Sequence, residues 1–389
     1  MDTQTKNKKA LVWLNLAHFT NDAYSGFLSP IMPFIAVKLG ITMAIATVII
    51  SIAQVCASMF QPIFGFFADN ILKRVFIFWG LLFGSLFVPL ATNAPNATVL
   101  TIFIILGNLG GSFFHPQAMG FISRFSKEKF VSDMGIFITA GTIGFSLGPI
   151  ISALTAEHLG FDKIPYLSIA GVLLAFAMFK CVPKISGTKI TVEHKEFFKS
   201  FKDILTNKSM NILILVSMVK SLITNSSVIL LPFLWKDMGH SPTYIGTALF
   251  LFLVMGGFGS FYSAKIEERI GAKNVFYISM MLTFPIMGAF LFTYQHHPII
   301  SILIFIVMGF TTMLAQPVMI VMAQKILPDY KAIVSGFING FSWGVVAIVL
   351  SIVGFSAQAF GIAKVLLIVS FAPILFAHFV KYLPDEIET

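Results

Sequence analysis

The chain has 389 residues, of which 57% are hydrophobic and only 11% are charged, and its mean hydropathy is +0.89. A water-soluble protein of this length does not have this composition, so a polytopic membrane protein is predicted. The net charge of +9 does not indicate nucleic-acid binding, because the basic residues are divided unequally between the two sides of the predicted membrane.

Apolar stretches of about 20 residues recur along the whole chain, which is the length that an α-helix needs to cross the hydrocarbon core. They predict an all-α integral membrane protein with twelve transmembrane helices. The predicted spans are 10–37, 43–69, 73–92, 98–124, 131–157, 162–182, 209–236, 242–269, 273–294, 298–324, 331–357 and 361–382. The first stretch is too long for a signal-peptide core and is interpreted as an uncleaved span.

The basic residues predict the orientation of these spans. With both termini in the cytoplasm, most Lys and Arg residues fall in cytoplasmic segments. The exceptions are Lys38, Lys163, Lys236 and Lys364 on the outer side and Lys220 inside a span. This asymmetry follows the positive-inside rule and favours an even number of spans with both termini in the cytoplasm.

The first span carries an acidic residue near its middle. A carboxylate at this depth costs roughly 2.5–3.5 kcal/mol on insertion scales, so an intramembrane acid usually faces water and has a function. His18, Asp22 and Ser25 share one helical face, and Asn21 flanks them. Asp22 is therefore the leading candidate for a proton carrier, and His18 is predicted to orient its carboxylate.

The loop after the second span combines an acid with basic residues. Gly65 stands four residues before Asp69, and Lys73 and Arg74 follow. The small residue lets neighbouring helices approach, and the acid can pair with basic groups at the cytoplasmic surface. These residues are predicted to belong to a cytoplasmic gate.

Span 4 carries a second polar stripe, formed by Asn108, Ser112 and His115. Imidazole titrates near physiological pH, so His115 is predicted to relay protons or to contact a substrate. A neutral histidine that hydrogen-bonds a carbonyl freed by Pro116 is the alternative.

Residues 183–208 are the most polar internal stretch and join two halves of six spans each, 1–182 and 209–389. Apolar residues recur there at helical spacing and lysines stand near them. The apolar residues are Phe197, Phe198, Phe201, Ile204 and Leu205. The pattern predicts an amphipathic helix on the anionic inner leaflet; a solvated linker is the alternative.

Span 7 repeats the polar pattern of span 1. Ser217, Lys220 and Thr224 share one helical face, and Lys220 follows Asn21 by 199 residues. Lys220 is therefore predicted to lie at nearly the same depth as Asp22. We hypothesise that the two charges pair across a central cavity in one state and separate in another; a static structural pair is the alternative.

Several short elements recur at a nearly constant offset. The matched pairs are Pro33-Phe34 with Pro232-Phe233 and Asp69 with Glu268, both at 199 residues, and His115-Pro116 with Gln316-Pro317 at 201 residues. The offset predicts a parallel repeat, in which two six-helix bundles are related by a pseudo-two-fold axis along the membrane normal.

The two gate loops resemble the signature loop of the major facilitator superfamily, which has a glycine, three residues, an acid and a basic-glycine-basic cluster. The second loop keeps Glu268, Arg269, Gly271 and Lys273. The first loop lacks the arginine and glycine directly after the acid. The resemblance implies that spans 1, 4, 7 and 10 line a central cavity and that the loops hold one conformation and release it in the other.

Within that superfamily, the chain is similar to the fosmidomycin-resistance group of exporters. The stretches that carry this similarity are 18–22, 107–116, 141–149 and 323–336. The third contains Gly144, Gly148 and Pro149 and also resembles the antiporter motif of proton-coupled drug exporters, although Ser152-Ala153 replaces its final glycines. The similarity implies proton-coupled export in a bacterial inner membrane.

We therefore expect an alternating-access antiporter that exports a small amphipathic or anionic molecule, such as a drug, against protons. Proton-coupled uptake of a metabolite and a non-transporting sensor or scaffold are the alternatives. The predicted cavity residues are Asn21, Ser25, Asn108, Ser112, Ser217, Thr224, Gln316 and Asn339. For the last two, packing hydrogen bonds are the alternative.

The expected partners are the substrate, protons and membrane lipids, and a monomer is expected. The energy source is the proton-motive force, so no cofactor is expected. Neither a catalytic constellation nor a phosphate-binding loop is found in the sequence. An enzyme is therefore not expected. Cys56 and Cys181 lack metal-ligand spacing, so no metal site is predicted.

Overall fold

The computed structural model describes residues 3–61, 64, 75–126, 130–183 and 194–384. These ranges are helical and contain no strand, which confirms the predicted all-α membrane fold. A helix satisfies its own backbone hydrogen bonds, as a lipid-exposed segment must. Nine helical segments within these ranges are long and apolar enough to cross a membrane, and two shorter apolar helices accompany them. The count of twelve stays a prediction.

Seven helices are described in the first half of the chain, outside residues 62–63, 65–74 and 127–129, and they are numbered in chain order. They are α1 (Thr3–Gly26), α2 (Leu28–Leu39), α3 (Met43–Met59), α4 (Val75–Ala91), α5 (Ala97–Ser126), α6 (Phe130–His158) and α7 (Ser168–Cys181). A short 3-10 helix, Phe161–Leu167, leads into α7.

The second half begins with α8 (His194–Thr206), the helix predicted in the linker. The remaining helices are α9 (Lys208–Asp237), α10 (Pro242–Ile270), α11 (Ala272–Met281), α12 (Thr283–Thr293), α13 (Pro298–Met313), α14 (Gln316–Ile326), α15 (Lys331–Gly336), α16 (Ser342–Phe360) and α17 (Ile362–Ala377). A π-helical turn, Phe337–Phe341, joins α15 to α16, and a 3-10 helix, His378–Tyr382, follows α17.

Three predicted spans are interrupted close to a proline. The breaks fall at Phe27, Leu282 and 314–315, shortly before Pro30, Pro285 and Pro317. A proline inside a helix removes a backbone donor and clashes with the carbonyl four residues earlier. Other prolines, such as Pro116 and Pro149, lie inside unbroken helices, so the sequence alone does not decide which spans break.

The chain divides into two compact units. Unit 1 comprises Met1–Thr42, Ile52–Thr191 and Gly239–Phe250. Its core joins α1, α4, α5, α6 and α7 through side chains such as Leu14, Phe114, Phe137 and Met178. Unit 1 thus contains most of the first half of the chain and one short segment of the second half.

Unit 2 comprises Met43–Ser51, Val192–Met238 and Leu251–Thr389. Its core includes Leu213, Phe276, Met319 and Ile338. It contains most of the second half and the start of α3. The units thus exchange short segments relative to the predicted boundaries at 182 and 209, which stay a prediction.

Helix α8 packs against protein at its C-terminal end. Ile204 is fully buried, and the ring of Phe201 lies 4.8 Å from that of Phe337. The hydroxyl of Tyr330 donates a hydrogen bond to the Asp203 carboxylate at 2.9 Å. Apolar spacing therefore predicts the helix correctly, and at these residues its apolar face covers unit 2.

Candidate functional site

A charged cluster lies inside unit 1, where α1 meets α5. The His18 Nε2 atom lies 3.2 Å from one carboxylate oxygen of Asp22, and the His115 Nε2 atom lies 3.6 Å from the other. His18 and Asp22 face each other because they are four residues apart on one helix. We call His18, Asp22 and His115 the Asp22 cluster.

A backbone contact fixes the orientation of His18. Its Nδ1 lies 2.7 Å from the carbonyl oxygen of Phe137 on α6, and a carbonyl oxygen only accepts, so Nδ1 carries a proton. The His18 ring also stacks on the Phe137 ring at 4.0 Å. The Nε2 atom is therefore the one directed at Asp22, and it can take up and release a proton there.

Small residues of α6 allow this helix to lie against the cluster. A methyl group on Gly141 would come closer than 3.0 Å to both His18 and Asp22. A methyl group on Gly144 or Gly148 would come equally close to carbonyl oxygens of α1. The antiporter-like stretch thus packs two backbones together, as small-residue stripes do in membranes, and this packing places the Phe137 carbonyl beside His18.

Asp22 has one further partner. The side-chain amide of Asn21 donates a hydrogen bond to the Asp22 carboxylate at 3.0 Å. Asn21 is almost fully buried, whereas Asp22 and His115 keep 18% and 22% of their side-chain surface exposed. The cluster is thus partly open, as proton entry requires.

The Asp22 cluster is compact enough to share one small cation. Its ligand atoms lie within 4.8 Å of one another. Among the described residues, it is the group of three His, Cys, Asp or Glu side chains that is close enough to hold a metal ion. Two imidazoles and a carboxylate can hold a proton between them or bind a divalent metal.

The other polar residues predicted on α1 and α5 bond to backbone. Ser25 donates to the Asn21 carbonyl, and Asn108 donates to the Ile104 carbonyl. Ser112 is fully buried, and its hydroxyl lies within hydrogen-bond distance of the Cys56 and Ala57 carbonyls of α3. Their predicted role in the substrate cavity stays a prediction.

Lys220 lies in the interior of unit 2. It is 3% exposed, and its ammonium donates to the Ser279 hydroxyl at 3.0 Å and to the Thr311 carbonyl at 3.5 Å. The hydroxyl of Thr224 bonds the Lys220 carbonyl. Lys220 therefore has partners from α11 and α13, and its hypothesised pairing with Asp22 stays a prediction.

A second set of polar residues in unit 2 lies near the break before α14 and the π-helical turn that follows α15. The Gln316 amide, just after the break between α13 and α14, donates to the side-chain oxygen of Asn339 in the π-helical turn. The Ser217 hydroxyl donates to the Ile338 carbonyl of the same turn at 2.7 Å. π-Helical turns are rare and frequently occur at functional sites.

Of the two predicted gate loops, the structure describes the second one. Gly65, Asp69, Lys73 and Arg74 lie outside the described residues. In the second loop, Glu268 and Arg269 end α10 on the surface. Gly271 has a φ of +79° between α10 and α11, which is why a glycine suits this position. Lys273 donates to the Lys381 carbonyl at 3.3 Å.

Two contributors to the cluster were not predicted as site residues. The Phe137 carbonyl acts through the backbone, and no side-chain pattern reveals it. Gly141 stands three residues before Gly144, and this small-residue spacing is the feature that could have identified it.

The sequence has relatives among transport proteins. The chain is 24% identical over 381 residues to the fosmidomycin resistance protein of Escherichia coli strain K12, covering 96% of this chain and 92% of the relative. It is 26% identical over 279 residues to the multi-drug resistance efflux pump PmrA of Streptococcus pneumoniae, covering 69% and 68% of the two chains.

The fold also matches solved structures. A bacterial homologue of the human lysosomal transporter Spinster, solved in an inward-facing and unoccupied conformation, superposes with a TM-score of 0.80 at 14% identity. The match covers 96% of each chain. The family model of the Major Facilitator Superfamily matches residues 14–352. The chain is therefore a multi-pass membrane protein that belongs to the major facilitator superfamily.

Proposed function

We propose that the protein is a proton-coupled antiporter that exports a small amphipathic or anionic molecule, such as a drug, by alternating access. It would lie in a bacterial inner membrane with both termini in the cytoplasm. The Asp22 cluster carries this proposal, because a partly open group of one carboxylate and two imidazoles inside membrane helices is suited to load and release a proton.

In this proposal, each member of the Asp22 cluster has a role. The proton on His18 Nδ1 is donated to the Phe137 carbonyl. The Nε2 atom that faces Asp22 therefore either carries a second proton, as in an imidazolium, or presents a lone pair. A lone pair facing a carboxylate is repelled, so the close contact at 3.2 Å favours a proton held between the two groups. His115, the more exposed of the two histidines, would pass protons to and from Asp22.

The substrate class is supported by the relatives and by one buried lysine. Two curated relatives are named for fosmidomycin resistance and multi-drug efflux. Lys220 is a basic residue inside unit 2 whose described partners are a hydroxyl and a carbonyl. When it is protonated, Lys220 would attract an anionic substrate group.

The proton-motive force is sufficient for this work. One elementary charge that crosses ~100 mV supplies ~2.3 kcal/mol. That energy supports a roughly 40-fold substrate gradient before any contribution from a pH difference.

Substitution of Asp22 tests the proposal. Asp22→Asn keeps the shape of the side chain but cannot carry a proton. In proteoliposomes with an imposed pH gradient, we expect wild-type protein to couple movement of labelled fosmidomycin to proton flux. Asp22→Asn should reduce that flux at least tenfold, a loss of about 1.4 kcal/mol or more.

Asp162→Asn is the matched control, because Asp162 is an exposed acid that pairs with neighbouring Lys163. It should transport like the wild type. Full coupling in Asp22→Asn would refute the proposal. The vesicle orientation in which protons drive accumulation distinguishes export from uptake, and thermal shift of the purified protein with fosmidomycin reports binding separately.

A further inference from the structure

The Asp22 cluster has the composition of a transition-metal site. His18 and His115 each direct an Nε2 atom at a different oxygen of the Asp22 carboxylate. Two imidazoles and one carboxylate are a ligand set that Zn²⁺ and other first-row divalent metals accept, whereas Mg²⁺ and Ca²⁺ prefer oxygen ligands. The residue types therefore indicate a transition metal, with Zn²⁺ as the leading ion.

The distances between the ligand atoms fit a single ion. A tetrahedral metal with bonds of about 2.0–2.2 Å holds its ligand atoms about 3.3–3.6 Å apart. The two nitrogen–oxygen contacts of the cluster measure 3.2 and 3.6 Å, and its three ligand atoms all lie within 4.8 Å of one another. Small rotations of the side chains are therefore enough for all three to bind one ion.

Neighbouring groups hold two of the three ligands in place. The His18 Nδ1 donates to the Phe137 carbonyl at 2.7 Å, so the neutral ring presents the lone pair of Nε2 to the cluster. The Asn21 amide donates to the Asp22 carboxylate at 3.0 Å. Metal-binding histidines almost always donate their other ring N–H in this way, and metal-binding carboxylates are themselves hydrogen-bonded.

The cluster also leaves an entry path and a free coordination position. The His18 side chain is 6% exposed, whereas those of Asp22 and His115 are 18% and 22% exposed. An ion can therefore reach the cluster past Asp22 and His115. Three protein ligands leave the fourth position of a tetrahedral ion open to water or to a substrate group, as in open zinc sites.

We propose that His18, Asp22 and His115 form a binding site for one divalent transition metal, with Zn²⁺ as the preferred ion. A lone pair of His18 that faces a carboxylate is repelled unless a cation lies between them, and Zn²⁺ removes that repulsion as a proton does. The ligands come from α1 and α5, so spacing along the sequence does not reveal the site.

Zinc titration of the purified full-length protein, prepared without a histidine tag, tests the site. Isothermal titration calorimetry should give one Zn²⁺ per chain. X-ray absorption at the zinc edge should show nitrogen and oxygen neighbours at about 2.0–2.1 Å, with the scattering pattern of two imidazoles. Mg²⁺ and Ca²⁺ should give no comparable heat, and binding of these ions as tightly as Zn²⁺ would overturn the assignment to a transition metal.

Substitutions separate the ligands from the groups that support them. Asn21→Leu removes a supporting hydrogen bond and should weaken Zn²⁺ binding roughly 10–100-fold. His115→Ala and Asp22→Asn each remove a ligand and should weaken binding more than Asn21→Leu does. The zinc stoichiometry and the absorption spectrum are measured on the wild type, so they test the site even where a variant fails to fold.

His296 and His297 provide the matched control, because they are adjacent, exposed and distant in sequence from the cluster. Replacing both with alanine should leave the tight binding of Zn²⁺ unchanged. Loss of Zn²⁺ binding in this control together with full binding in His115→Ala would overturn the proposal. A wild-type protein that binds no Zn²⁺, or whose zinc spectrum lacks imidazole scattering, would overturn it as well.

The binding measurements involve no transport, so the metal site and the proposed proton coupling succeed or fail separately. A bound metal would occupy the nitrogen and oxygen atoms that the proposed function assigns to the proton. Saturating Zn²⁺ should therefore reduce proton-coupled flux in wild-type proteoliposomes, and this expectation alone rests on the proposed function. Zinc bound at the cluster with undiminished flux would contradict the proton-carrying role and support the metal site.

Discussion

Asp22 is held by groups from three helices. Asn21 and His18 belong to its own helix, His115 comes from α5, and Gly141 of α6 leaves room for the His18 ring. The cluster therefore depends on close approach of helices as much as on its titratable groups. Small displacements of α6 should therefore change the rate of proton-coupled flux.

Gly141→Ala tests this dependence. The added methyl group would displace His18 and Asp22, and a misplacement of about 1 Å can reduce the rate of a geometrically demanding step by about 100-fold. We expect proton-coupled flux to fall at least tenfold while the protein remains folded. Flux in proteoliposomes and circular dichroism measure the two effects.

Gly135→Ala on the same helix is the matched control, because its methyl group would meet nothing within 4 Å. It should retain normal flux. Equal flux in the two alanine variants would contradict a positional role for Gly141.

Sequence reasoning could identify Asp22, His18 and His115 one by one, because an ionisable residue in an apolar span is conspicuous. It could not show that His115 reaches Asp22, since α5 and α1 meet only through tertiary packing. For Lys220, the repeat predicts a depth in the membrane but not the direction of the side chain. The side chain is directed to Ser279 and Thr311. This direction depends on the rotation of α9 about its own axis.

Helix α8 shows how an amphipathic pattern is used. Its spacing predicts a helix with one apolar face, and both a membrane and a protein surface could cover such a face. The buried Ile204 and the Phe201–Phe337 contact show that protein covers the C-terminal part. Sequence fixes the face of such a helix, and the neighbouring structure decides what lies against it.

Ile204→Ala should therefore destabilise the protein. Removing a fully buried isoleucine side chain costs about 2–5 kcal/mol, so the thermal unfolding midpoint in detergent should fall by several degrees. The adjacent Leu205 is 50% exposed, and Leu205→Ala should change the midpoint much less. A similar fall in both variants would contradict the assigned face.

Over the whole molecule, hydropathy predicted the fold class because helices in lipid must be long and apolar. The parallel repeat is predicted from the nearly constant offset of short sequence elements. The interruptions at Phe27, Leu282 and 314–315 were harder to place, since Pro116 and Pro149 occur in helices that stay continuous. Local proline chemistry permits a break, and packing determines whether it occurs.

The asymmetric distribution of Lys and Arg predicts that both termini face the cytoplasm. Reporters fused to either terminus should be active only in cytoplasmic assays, whereas a cysteine placed at His240, between α9 and α10, should react with an impermeant reagent from outside. Labelling of intact cells and of inverted vesicles measures this. Opposite locations of the two termini would contradict an even number of spans.

The pairing of His18 with Asp22 on one helix also bears on biogenesis. Chains are synthesised from the N-terminus, so α1 reaches the insertion machinery before α5 and α6 have been made. At that time, the partners within reach of the acid are His18 and Asn21. Entry of the first helix into the bilayer is therefore eased by neighbours on the same turn, and the partners on later helices are added as the nascent chain is completed.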